Sequence, residues 1–150
     1  MATRPKVWLA TAAAALAFVV VVSASPLTSA GPSTGARYAT VELSGVVILR
    51  VRDSAGWPSV YARADEIYKR LNEAINTYQD RLSPDLVRIG QTARGPALYI
   101  GDHLFVTVDQ GSARRNGTSQ EKLAEFWAAN LKAAISRYVA INSPGKPPVF

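Results

Sequence analysis

Five short patterns put chemically capable residues at suggestive spacings. Gly31 to Gly35, GPSTG, has the Gly-x-Ser-x-Gly spacing that exposes a nucleophilic serine on a strained strand-to-helix turn. Ser33 has no strand pattern before it and Pro32 beside it, so the required context is missing and the segment reads as linker. Ser119 and Lys122 have the spacing of the serine–lysine pair in penicillin-recognising enzymes. Those enzymes also need Lys-Thr-Gly and Ser-x-Asn elements on a larger two-part fold, and neither element occurs here. Thr118-Ser119-Gln120-Glu121 instead reads as a helix capping box, with Thr118 as cap and Glu121 reaching back. His103 is the sole histidine and lacks the HxH or HExxH spacing of a metal site. Glu121 and Glu125 share a helix face, where they suit the positive end of the helix dipole better than acid–base work. Asn116-Gly117-Thr118 matches a glycosylation sequon whose Thr is already assigned to the cap. These readings predict no catalytic set, no cofactor motif and no metal site.

Composition narrows the classes further. The chain has 150 residues and a net charge of +6. Arg4 and Lys6 contribute two of those charges, so the remainder carries +4, scattered in both signs. A dedicated nucleic-acid binder clusters its positive charge, so no nucleic-acid partner is expected. There is no cysteine, which removes disulfides, thiol nucleophiles and cysteine-held metals.

Arg4 and Lys6 precede the uncharged run Val7 to Val22, VWLATAAAALAFVVVV, and the small residues Ser23, Ala24 and Ser25 follow. Charge, apolar core and small residues in that order form a secretory signal pattern, with cleavage expected after Ala24 or Ala30. An uncleaved anchor is the alternative, since the run is at the short end of the roughly 17–25 residues that span a membrane. In both cases the rest of the chain is expected outside the cytoplasm, and membrane contact is expected only through this segment if it is retained. Residues 25–37 are Pro, Ser, Gly and Thr-rich and read as a flexible linker. The tail 141–150 holds three prolines and reads as disordered.

Residues 38–140 are left for a single domain. Thr40 to Arg52 is rich in β-branched residues, with Ser44-Gly45 as a hairpin turn or bulge. Val47, Leu49 and Val51 alternate there with Ile48, Arg50 and Arg52, giving the far end one buried and one wet face. Ser59 is positioned to cap a helix in which Ala64, Ile67, Tyr68, Leu71, Ala74, Ile75 and Tyr78 form an apolar stripe. Leu86 to Gln91 reads as a strand. Ala97 to Ile100 and His103 to Val108 read as a hairpin around Gly101-Asp102, with Leu98 opposite Phe105 and Tyr99 opposite Leu104. A second helical stripe runs through Leu123, Phe126, Trp127, Leu131, Ala134, Ile135 and Tyr138. The predicted fold is α+β: a small, largely antiparallel sheet of four to five strands, with two long helices packed on one face.

The hairpin has apolar residues on both faces. Such strands are covered twice, or are covered once and offered to a partner. The second option makes Leu98, Ile100 and Phe105 the candidate partner face. Trp57, in a turn before Pro58, is a further candidate for an exposed aromatic or a lid over the core.

Four segments also carry a family likeness. They are VELSGVVILRVR (Val41–Arg52), YARADEIYKRLNEAI (Tyr61–Ile75), ALYIGDHLFVTVD (Ala97–Asp109) and GTSQEKLAEFWAANLKAAISRY (Gly117–Tyr138). Together they resemble an extracytoplasmic N-terminal domain found in some bacterial small-conductance mechanosensitive (MscS-type) channel proteins. The pore-forming helices of those proteins have no counterpart in this sequence. The resemblance therefore implies an accessory or sensing module, and a channel or other envelope protein as partner.

The expected function is a non-enzymatic interaction or sensing module of the cell envelope. A cell-wall or anionic-lipid surface binder is the alternative, and a small envelope hydrolase built on Ser119 and Lys122 is a third reading. The signal pattern predicts that intact-mass analysis of the exported protein will give a chain starting at Ser25 or Gly31. Recovery of the uncut chain in the membrane fraction would establish an anchor instead.

Overall fold

The computed structural model describes residues 38–142. The expected signal segment, the linker, Ser33 with its GPSTG pattern, and the tail from residue 143 lie outside the described residues.

The fold is α+β. Strands β1 (Ala39–Leu43) and β2 (Val46–Val51) form an antiparallel hairpin. Helix α1 (Val60–Tyr78) follows, then two 3-10 turns, Gln79–Arg81 and Pro84–Leu86. Strands β3 (Val87–Thr92), β4 (Gly95–Ile100) and β5 (His103–Thr107) form an antiparallel sheet in that order. The short α2 (Gln110–Arg115) and the long α3 (Gln120–Asn142) complete the described chain. The strands thus divide into a hairpin and a three-stranded sheet, a division that local pattern does not announce. Among the described residues no helix is long and apolar enough to cross a membrane.

Local chemistry explains most boundaries. Ser44 and Gly45 both have positive φ (52° and 76°), the geometry of a tight hairpin turn matched to strand twist. Ser59 caps α1, its Oγ accepting the Ala62 N–H at 3.0 Å. Asp109 caps α2 by accepting the Ser112 N–H at 2.9 Å. That helix has no apolar stripe of its own, so periodicity does not reveal it. Gly101 opens the β4–β5 turn at φ +57°, and a Cβ there would overlap the Tyr78 ring and hydroxyl. Tyr78 Oη accepts the Asp102 N–H at 2.9 Å, so the end of α1 holds that turn.

Two strand irregularities reshape the core. In β2 the pairing steps from Val41–Leu49 to Glu42–Val47, leaving Ile48 as the extra residue. In β5 it steps from Leu98–Val106 to Tyr99–Leu104, leaving Phe105 extra. Both extra residues are buried, beside buried Leu49 and Val106. Tyr99 opposes Leu104 as expected, but Leu98 opposes Val106 and not Phe105. The bulge therefore breaks the strict alternation on which the two-faced hairpin rested.

One core results. The stripe of α1 (Ala64, Ile67, Leu71, Ala74) and that of α3 (Leu123, Trp127, Leu131, Ile135) enclose the apolar sides of the strands. Helix α1 packs against β1, β2 and β5, while α3 packs against β1, β2, β3 and β4. Leu98, Ile100 and Phe105 are all fully or almost fully buried, so they form part of this core and do not form a partner face. The helices cover the side of the strands that carries these residues. Phe105→Ala is expected to lower the unfolding free energy by about 3–5 kcal/mol, measured by urea denaturation, because the bulged ring has no route to solvent.

Candidate functional site

The alternation read from the sequence holds only past the bulge in β2: before it the order is reversed, with Val47 exposed and the bulged Ile48 buried. Leu49 and Val51 are buried, whereas Arg50 is exposed and Arg52 half-buried. Across from these arginines runs the first half of α3. Between the two lies a groove of about 630 Å³, within the size of small-molecule sites. Val47 from β2 and Leu123, Phe126 and Trp127 from α3 supply its apolar lining; Arg50, Arg52 and Lys122 supply its charge. Asn116, Thr118 and Asn130 complete the polar lining, and no carboxylate lines it.

Both arginines pack against one aromatic ring. Both guanidinium carbons lie over the Tyr38 ring, Arg50 at 5.5 Å and Arg52 at 5.4 Å from its centroid. The ring's negative π-cloud attracts each cation. Neither arginine, nor Lys122, forms an ion pair among the described residues. The buried Arg52 Nε–H also has no acceptor among them. An unmatched buried donor costs about 1–3 kcal/mol.

At the far end of the groove Asn130 donates its Nδ2–H to the Ile48 carbonyl at 3.0 Å. This bond ties α3 to the backbone of β2. Phe126, one helical turn before Asn130, is 62 % exposed and stands at the mouth.

A second polar cluster is structural. Arg63, on the buried stripe of α1, is only 5 % exposed. It donates to the Asp53 carbonyl at 2.8 Å, Ser112 Oγ at 2.9 Å, the Thr107 carbonyl at 3.1 Å and Asp109 Oδ2 at 2.7 Å. Ser112 Oγ–H in turn donates to Asp109 Oδ2 at 2.8 Å. Burial would raise the Asp109 pKa, but the Ser112 N–H and O–H bonds and the Arg63 charge outweigh it, so the carboxyl lies below its ordinary value. With both terminal nitrogens bonded to protein acceptors, Arg63 is equipped to hold the fold together, not to take a ligand.

The residues singled out in the sequence disperse. Trp57, 40 % exposed, lines a smaller groove of about 400 Å³ with Arg94, Glu66 and Arg70. Its charges are of both signs, and Arg70 is already paired with Glu66 at 2.9 Å. Ser119, not Thr118, caps α3, its Oγ accepting the Lys122 N–H at 3.2 Å. The helix starts one residue later than the capping-box reading places it, and Gln120 reaches across to the Val108 carbonyl at 2.7 Å. Lys122 lines the groove, so Ser119 and Lys122 are joined by helix geometry. His103 is half-buried and packs edge-on against Tyr78 at 5.8 Å. Glu121 and Glu125 are exposed. Among the described residues no three of His, Asp and Glu gather to hold a metal.

The groove itself was half visible in sequence. Arg50-x-Arg52 on a strand and Lys122 followed four residues later by Phe126 on a helix are local patterns of one charge and one aromatic. Their meeting depends on the docking of α3 beside β2, which no local pattern specifies.

A family model described as "Domain of unknown function (DUF8459)" matches residues 40–138. No curated protein and no solved structure matches the chain.

Asp109→Ala would leave the Arg63 guanidinium buried without its counter-charge, a loss of about 3–5 kcal/mol expected in chemical denaturation. A carboxylate with a depressed folded pKa contributes fully at neutral pH. That contribution declines once the pH drops below the unfolded value of about 3.9, and it is lost below the folded one. The variant is therefore expected to have a shallower fall in stability on acidification; an unchanged acid limb would exclude Asp109 as its source.

Proposed function

The chain belongs to the DUF8459 family of domains of unknown function, and on that footing we propose that it is a non-enzymatic binding module of the cell envelope that engages an anionic envelope component through the β2–α3 groove. The observation that carries this reading is the one-signed charge of the groove. Three cations line it beside exposed apolar surface, and no carboxylate does. A groove lined by charges of one sign favours an anion that neutralises them. The export pattern of the first thirty residues supports an envelope location.

The resemblance to MscS-type channel domains favours a second reading within the same class, a sensing module attached to a membrane protein. Its support is specific: Val41–Arg52 and Gly117–Tyr138, two of the four segments that carry the likeness, contain the two walls of the groove. Both readings place contact at the same surface and differ in what is contacted.

A photo-crosslinking amino acid in place of Phe126, irradiated in intact cells, tests the surface. The expected result is a discrete adduct with an envelope component, absent when the same probe replaces exposed Glu73 on α1 and weakened by Arg50→Glu. Recovery of a channel subunit would select the second reading. Identical labelling from both positions, or none from Phe126, would refute the groove as the binding surface.

A further inference from the structure

Resting on that reading of the groove, we infer that its occupant is a single-chain lipid anion, with its headgroup on Arg50, Arg52 and Lys122 and its alkyl chain along Val47 and Phe126. The argument starts from the uneven lining. The polar end holds three cations, of which Arg50 and Lys122 are exposed. An Arg fork suits phosphate or carboxylate oxygens better than a diffuse charge does. The apolar side exposes Phe126 and Val47, 62 % and 39 % accessible, on opposite walls of one groove. Head and tail must therefore belong to one molecule if both halves of the site are to be used.

An acidic peptide is the competing occupant of a cationic groove beside an edge strand, since extended peptides add to strand edges through their backbone. Here that route is obstructed. Helix α3 packs along β2, and the Asn130 amide already occupies the Ile48 carbonyl. A flexible alkyl chain needs no hydrogen-bond ladder and can follow the aromatic wall. The volume of about 630 Å³ accommodates one chain and a small head.

The test is calorimetric titration of the full chain with dodecyl phosphate below its micelle concentration. Dodecyl maltoside (tail without charge), inorganic phosphate (charge without tail) and a hexaglutamate peptide serve as comparators. Dodecyl phosphate is expected to bind at least ten-fold more tightly than each of them. Arg50→Gln with Lys122→Gln, and separately Phe126→Ser, should each weaken it at least ten-fold. All three side chains belong to exposed residues, and an unchanged melting temperature will verify that the variants fold. Any apolar contact made by the N-terminal segment would be insensitive to these substitutions, so affinity unchanged in the variants overturns the inference. Equal binding of inorganic phosphate would make it a simple anion site, equal binding of maltoside an apolar patch, and equal or tighter binding of hexaglutamate a peptide site; each result overturns the lipid. A cross-link from position 126 to a polypeptide, together with no dodecyl phosphate binding, would defeat this inference and leave the envelope-binding reading standing.

Discussion

Arg63 is the joint on which the arrangement depends. Its guanidinium bonds at once to the turn after β2, the end of β5 and the first turn of α2, from a position on α1. Two sheets that share no strand pairing are thereby connected through one side chain. A buried charge is costly unless its donors are met, and here carbonyls, a hydroxyl and a carboxylate meet them. The network also sets direction. By fixing where β5 ends and α2 begins, it places the start of α3, and through α3 the wall of the groove.

The groove is what remains when a long helix covers a strand over only part of its length. At Ile48 the cover is close, and Asn130 bonds to the backbone. Toward Arg52 the strand carries long cations outward, and helix and strand leave space between them. Tyr38 and the bulge at Ile48 then decide how the cations stand. Packing requirements at one end thus create a charged recess at the other. Nothing comparable arises around Trp57, where carboxylate and guanidinium groups neutralise one another.

Elements with strong periodicity were legible from sequence. Both long helices, the Ser44-Gly45 turn, the Gly101-Asp102 turn and the Ser59 cap all follow from spacing and turn chemistry. What was not legible depended on single extra residues and on distant partners. The bulge at Phe105 cannot be seen in an alternating pattern, and it carried Phe105 and Val106 together into the core. Helix α2 is too short for a stripe and is defined by its Asp109 cap. Arg63 lies in register with the apolar stripe of α1, one residue before Ala64 and four before Ile67, yet three of its four partners are more than forty positions away. The candidate site followed the same rule: Arg50 and Arg52 were placed on the wet face correctly, while the helix that makes that face a groove came from elsewhere in the chain.

The Asn130–Ile48 bond joins residues 82 positions apart. The hairpin that it shields is the first of the described elements to be synthesised, and the helix that shields it is the last. Throughout synthesis the outer edge of β2 is open, with the β-branched run Val46 to Ile48 along it. An open strand edge of this kind pairs readily with another chain. A nascent molecule is therefore sticky for as long as α3 is missing, and truncation before Asn130 leaves a fragment whose most adhesive surface never closes.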